Sequence, residues 1–595
     1  MVDTRDLKSR GAARLRAGSS PAPGTKIGRN RMRQLSGAEA FVRMLQLHGV
    51  KYIFGLCGDT SLPLYDALCR LDHGMTHILT RDERSAAYMA DAYARVSGRV
   101  GVCEGPSGGG ATYILPGVVE ANESSIPLLC ITTDISIASR GRYTLTELDQ
   151  EALFRPLTRW SCVIDKGSAI PSAVRAAFTR MTTGRPGSVH LGLPLDVQRE
   201  PVDESEVWAD PTLGDYPSRR ARPDPAAVSA AADAILSAKD PVFICGGGVV
   251  ISGAEDALRT VAEFLKAPVA TTISGQGSMA DDQPLAVGVV GSNGGSPETR
   301  GIVDRADMVI FLGCRAGSVS TERWRTPTPG KVRVVHIDAD PTVIGVNYPT
   351  EVSVVGDARL CLVALLEEFA GRRPVLPSRT LGAEDVARAK ERKFLAFRAL
   401  ARSEERPIRP ERIIAELQAV LPRDAVIVAD PGTPCPYLSA YYEFYETGRS
   451  FISNRAHGAL GYSLAAVVGA FYGRPRAKCV AVMGDGSFGF ACGEMETIVR
   501  LNIPVTLIVI SNSSFGWIKA GQKHGFSRRY YSVDFSRTDH SKVAEAFGVK
   551  AWRVSDPADL SPALSAAVAY NGPTLVDIIA QPLEEATAPV SEWIA

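Results

Sequence analysis

Neither sign of charge is in surplus in this chain: 66 Lys and Arg stand against 65 Asp and Glu over 595 residues. So close a balance gives no electrostatic footprint for nucleic acid or an anionic membrane as the main partner. Long apolar runs are missing as well. None approaches the ~20 residues that a membrane-spanning helix requires, so no membrane partner is expected. Paired cysteines are a third absence. The 11 cysteines are scattered, with no Cys-x-x-Cys spacing. Several, such as Cys130, Cys245 and Cys314, sit inside apolar runs, as buried thiols of a reducing cytosol do. A cytoplasmic location is the expectation. No short internal repeat is visible.

What the chain does have is alternation. At about 150 residues per domain its length suggests three or four domains. Residues 1–35, rich in Arg, Ser, Ala, Pro and Gly without apolar period, read as a disordered basic extension. Three blocks follow, over 36–201, 224–372 and 405–585. Each alternates short apolar runs with helical segments, the pattern of doubly wound α/β domains with mainly parallel sheets. In the first block the runs at 52–54, 77–80, 100–103, 127–132 and 188–193 read as strands. Those at 242–245, 269–272, 308–312 and 334–337 do so in the second. An acidic, Pro-containing linker (200–225) and a charged stretch (372–393) separate the blocks.

The third block contains the most informative stretch, AVMGDGSFGFACGEMETIVRLNIPVTLIVISNSSFG, from Ala481 to Gly516. Apolar runs at 479–483 and 504–510, with a helical segment between them, make a βαβ unit whose strands end at the same sheet edge. Asp485 and Asn512 therefore emerge side by side. A carboxylate and an amide oxygen suit Mg²⁺, which takes its other ligands from water and from a substrate or cofactor phosphate.

Gly484-Asp485-Gly486 after one strand and Asn512 after the next resemble the thiamine-diphosphate motif of the decarboxylases and carboligases of the acetolactate synthase, pyruvate oxidase and oxalyl-CoA decarboxylase type. The resemblance covers nearly the whole chain after residue 36. It implies a pyrimidine-binding, a central and a diphosphate-binding domain, in that order. It further implies Asp485, the Asn512 side chain and the Ser514 carbonyl as Mg²⁺ ligands. Gly484, Gly486, Ser487, Phe515 and the DPGTP turn with Gly432, Thr433 and Pro434 would hold the cofactor, Leu460 would bend it, and the Gly458 carbonyl would meet its 4′-amino group. In HILTRDERSAAYMADAYARVSG, the family's Arg-x-Glu segment falls on Glu83. The resemblance makes Glu83 the residue that hydrogen-bonds N1′ of the pyrimidine and promotes loss of the C2 proton. Because the family's cofactor lies between subunits, a homodimer or homotetramer is implied.

Substrate contacts are expected from Ser107 in VCEGPSGGGATY, from Thr146 and Glu147 in TLTELDQEALF, and from His457, Ile518 and Lys519. Glu147 is kept where relatives carry Phe-Gln-Glu, but Thr146 replaces the Gln, and ELDQ is the wording of oxalyl-CoA decarboxylases. An acetolactate-synthase-like carboligase acting on 2-oxo acids is the leading expectation. A 2-hydroxyacyl-CoA lyase or oxalyl-CoA-type decarboxylase, with an acyl-CoA substrate, is the second, and a non-catalytic regulatory protein the third. In the central block ICGGGVVISG, FLGCRAGSVS and VVHIDADP carry FAD or ADP in relatives and are compatible with dinucleotide binding. The Phe-Asp-Asp-Arg of FAD-binding synthases is missing, so FAD, ADP and an empty pocket all stay open.

Overall fold

The computed structural model describes residues 34–593. The expected basic extension lies outside these except for Gln34 and Leu35, which open a short strand, Gln34–Ser36, paired antiparallel with Pro201–Asp203. Each of the three blocks is built on a six-stranded parallel sheet flanked by helices. The first runs Thr76–Leu79, Tyr52–Gly55, Gly101–Gly105, Leu128–Asp134, Ser188–Pro194, Trp160–Val163 across the sheet. The second runs Ala286–Val289, Val269–Thr271, Pro241–Cys245, Met308–Leu312, Arg333–Asp338, Val352–Val355. The third runs Phe451–Ser453, Val426–Ala429, Cys479–Gly484, Thr506–Ser511, Thr574–Ile579, Lys550–Val554.

Central strands such as Leu128–Asp134 and Met308–Leu312 are buried along their whole length. Helices cover both faces of such a sheet, which is why these strands read as unbroken apolar runs in the sequence. The edge strand Lys550–Val554 is mostly exposed or half-buried and has no such run. The acidic linker is not free chain. Leu213 is buried, Val100 N–H donates to the Gly214 carbonyl and the Tyr216 hydroxyl donates to the Ala94 carbonyl, so this segment packs back on the first domain. The charged stretch at 372–393 feeds a 19-residue helix, Ala383–Ala401. Its buried residues Val386, Ala389, Lys393 and Phe397 recur at helical spacing, a stripe partly masked in the sequence by the lysine. Lys393 Nζ reaches the Ala440 carbonyl at 2.9 Å.

Two helices, Glu83–Ser97 and Tyr462–Gly473, join the first and third domains. Their contact is close because the facing residues are small: a Cβ on Gly469 would stand 1.9 Å from the Met89 carbonyl oxygen. A buried polar cluster fixes the joint. Arg95 pairs with Asp91 (2.8 Å) and Glu120 (3.1 Å), and the Tyr462 hydroxyl donates to Asp91 at 2.5 Å. Glu120 also accepts the backbone N–H groups of Ala456 (3.1 Å) and His457 (2.7 Å). The loop that follows strand Phe451–Ser453 is thereby tied to the first domain.

Candidate functional site

Strands Cys479–Gly484 and Thr506–Ser511 are hydrogen-bonded neighbours, with Gly484 opposite Ile510, so the chain leaves both at one sheet edge. Asp485 opens the helix Asp485–Ala491 and is 5% exposed. Its Oδ2 accepts the N–H groups of Asn512 (2.9 Å) and Ser513 (2.6 Å), and its Oδ1 that of Gly486 (3.0 Å). Burial holds this carboxyl above the usual carboxylate range, while those N–H groups pull it back. The Asn512 side-chain oxygen accepts from the Ser514 N–H (3.3 Å) and hydroxyl (3.2 Å). Among the described residues Asp485 has no salt-bridge partner, and no cluster of three or more His, Cys, Asp or Glu is placed to hold a metal unaided. One buried carboxylate beside amide oxygens fits a hard divalent cation that completes its shell from phosphate and water.

Asp485, Asn512 and Ser514 line a cavity of ≈560 Å³. Gly432 and Thr433 form one part of its wall, Gly458 and Leu460 another, and Gly484, Gly486, Ser487 and Phe515 a third. His457 and Ile518 also face it. Pro434 is the first residue of the helix Pro434–Tyr441 that starts at this wall, a position where its missing N–H costs nothing. Gly432 has φ 104°, which a side chain would strain. Asp430, the first residue of the DPGTP turn, points inward. It accepts the N–H groups of Tyr462 and Ser463 and the Ser463 hydroxyl, and burial pushes it up to about 6.

Glu83, Ser107, Thr146, Glu147 and Lys519 do not line this cavity. Glu83 opens its helix at 7% exposure, against the Gly-rich turn; its Oε1 lies 3.1 Å from where a Cβ on Gly110 would stand. Burial is the main cause that raises its carboxyl. The Ser107 and Thr146 hydroxyls meet at 2.7 Å on the same side of the first domain. Glu147 closes its own loop, accepting from the N–H groups of Gly141 (2.5 Å) and Thr144 (3.2 Å). Lys519 was expected at the substrate and also stands outside this lining. Its ammonium pairs with Asp534 (2.8 Å) and Glu584 (2.9 Å), away from the cavity that Trp517 and Ile518 face. One residue along a helix is a turn of 100°, and two carboxylates hold the lysine there.

The sequence motifs did not reveal the remaining wall. Ser292, Asn293, Val319, Arg323 and Arg455 contribute to it, as do Glu592 and Trp593 near the C-terminus. Arg455 stands beside the Gly458–Leu460 segment, Val319 lies within FLGCRAGSVS and Arg323 three residues past it, but these stretches gave no sign of facing this cavity; the central-domain and tail residues reach it by tertiary packing.

A second cavity of ≈480 Å³ lies at the C-terminal edge of the central sheet, lined by the Gly246–Gly248 turn, Cys314, Arg315 and Asp338. Burial pushes Asp338 up to about 6. Arg455 and Val319 line both cavities.

Comparison with known proteins agrees with this division. Residues 35–153 match the profile of the thiamine pyrophosphate enzyme N-terminal TPP binding domain, 228–365 that of the central domain and 430–578 that of the C-terminal TPP binding domain. The chain is 35% identical over 559 residues to a probable acetolactate synthase large subunit of Methanocaldococcus jannaschii, covering 92% of this chain and 93% of the relative. It is 31% identical over 578 residues to the acetolactate synthase large subunit of Corynebacterium glutamicum (95% and 90% covered). A glyoxylate carboligase of Escherichia coli O157:H7 is 30% identical over 570 residues (92% and 93%).

Proposed function

The chain belongs to the thiamine pyrophosphate enzymes, and from that premise we propose that it is an acetolactate-synthase-like carboligase acting on 2-oxo acids. The observation that carries the reading is the pairing of Asp485 with Asn512 at one sheet edge inside the ≈560 Å³ cavity. Asp485, the Asn512 amide oxygen and the Ser514 carbonyl would hold Mg²⁺. Gly432, Thr433 and the N–H groups at the start of helix Asp485–Ala491 would take the diphosphate, as helix N-termini take anions. Thiamine diphosphate, when bound, supplies a C2 nucleophile and an electron sink.

The chain's own part is to bind, orient and move one proton. Leu460 would set the cofactor's bend, and Glu83 would exchange a proton with N1′, a task for which a carboxyl raised by burial is suited. Glu83 does not reach the Asp485 cavity of its own chain, which supports a homodimer in which each site takes Glu83 from the other copy. The second cavity supports a nucleotide, FAD or ADP, in the central domain, since a glycine turn and an acidic strand end face it. Relatives named as acetolactate synthase and glyoxylate carboligase favour a 2-oxo acid over an acyl-CoA.

The test is CO₂ release and C–C product formation from pyruvate or glyoxylate with thiamine diphosphate and Mg²⁺. Asp485→Ala should abolish both Mg²⁺-dependent cofactor binding in calorimetry and turnover. Wild-type cofactor affinity in that variant would remove Asp485 from the site.

A further inference from the structure

One wall of the larger cavity is not accounted for by the cofactor residues. Arg323 stands on it, within a run of three residues in the left-handed region: Glu322, Arg323 and Trp324 have φ of 49°, 56° and 58°. Side-chain-bearing residues disfavour that region, and such a run persists only where its surroundings impose it. Here Glu322 is tied to Arg300 at 2.5 Å, the Arg323 N–H donates to the Ser318 carbonyl at 2.7 Å, and the Trp324 N–H donates to the Thr321 hydroxyl at 3.1 Å. The result is a guanidinium held at the cavity, and it is already paired with a carboxylate. Glu592 meets Arg323 at 2.9 Å and also contacts Arg325.

The segment that brings Glu592 there is fixed to the loop at 292–294. The Gly294 N–H donates to the Pro589 carbonyl (2.9 Å) and the Ser591 N–H to the Ser292 carbonyl (3.0 Å). Beyond Glu592, Trp593 packs on Trp517 at 5.1 Å and stacks on His524 at 5.5 Å. Glu592 and Trp593 line the same cavity as Asp485.

We propose that Arg323 is the residue that recognises the substrate carboxylate, and that Glu592 holds its place until a substrate carboxylate displaces it. The proposal rests on the carboligase reading for the substrate class. A guanidinium fork matches a carboxylate in charge and geometry, and it does not distinguish the carboxylate of Glu592 from that of a 2-oxo acid. The two compete for Arg323. Displacing Glu592 also releases the neighbouring Trp593 from its stack, so substrate binding and opening of this wall are one event.

The experiment uses the full chain with thiamine diphosphate and Mg²⁺, and pyruvate as the probe. Arg323→Gln should raise KM for pyruvate about tenfold, the worth of one charge-assisted hydrogen bond, with kcat changed less. Glu592→Gln should shift KM in the opposite direction, lowering it several-fold, because the internal competitor is weakened. The double variant should behave as Arg323→Gln alone. Pyruvate should change tryptophan emission saturably in wild type, and should not do so in Arg323→Gln or Trp593→Phe over the same range. A KM that rises or stays fixed in Glu592→Gln, or stays fixed in Arg323→Gln, would overturn the proposal by making the pair a structural strap. If wild type turns over no 2-oxo acid, the carboligase reading fails, and the emission titration with pyruvate still decides the role of Arg323.

Discussion

Gly469→Ala adds one methyl group at the joint between the first and third domains. The new Cβ would stand 1.9 Å from the Met89 carbonyl oxygen, 2.7 Å from its carbon and 2.9 Å from the Met89 Cα, where ordinary contact begins at 3.4 Å. The two helices must therefore separate by about 1.5 Å, and since the obstacle is backbone, no rotamer relieves it. A second effect opposes this: Ala in place of Gly in a helix interior gains roughly 1 kcal/mol. Overpacking costs about 1–3 kcal/mol, and a clash with backbone belongs at the upper end, so destabilisation wins by about 1–2 kcal/mol. The displaced helix begins with Glu83, while the opposing helix starts two residues after Leu460, with Gly461 as its N-cap. Misplacement of a reacting group by about 1 Å costs on the order of a hundredfold in rate. Scanning calorimetry and kcat with pyruvate are the assays. A variant with an unchanged or raised unfolding temperature and wild-type kcat would refute the argument that this close contact positions Glu83.

Glu83→Gln should bind thiamine diphosphate normally yet lose about 10²–10⁴ in kcat, because an amide cannot exchange the proton at N1′. Hydrogen–deuterium exchange at C2 of the bound cofactor checks it, and a wild-type exchange rate would exclude Glu83 from that step. Ile518, 54% exposed and facing the cavity, should alter the ratio of kcat/KM between pyruvate and larger 2-oxo acids when cut to Ala, by about 10-fold or more; an unchanged ratio would place it outside the substrate's reach. His190 is fully buried, stacked on Phe154 at 3.8 Å and hydrogen-bonded to Thr132 and Ser161, and burial brings it down to about 3. The unfolded chain takes up this proton near pH 6.5 and the folded chain does not. This contribution is therefore fully present above pH 6.5, and about 1.4 kcal/mol is lost per pH unit as pH falls toward 3. Unfolding midpoints between pH 4 and 7 should show a shallower acid loss in His190→Gln than in wild type, and equal slopes would contradict this.

The three-block α/β plan and the diphosphate half of the site are legible in the order of the amino acids. Both are local. A strand buried on both faces must be apolar throughout, so it is visible as a run, as in Thr506–Ser511. A βαβ unit sets both strand ends at one edge, so connectivity alone makes Asp485 and Asn512 neighbours. The edge strand Lys550–Val554 and the helix Ala383–Ala401 escaped because partial burial, and a lysine on the buried stripe, erase the pattern. The rest of the site depended on tertiary packing. Lys519 pairs with Asp534 and Glu584, and Asp430 turns inward to meet the start of the Tyr462–Gly473 helix. Arg323 and Glu592 meet across a separation of more than 250 residues, through a left-handed turn and a tail that no local preference encodes. Such a pairing is set only when whole domains pack, because neither side chain has a reason to be there until the other's backbone has been fixed.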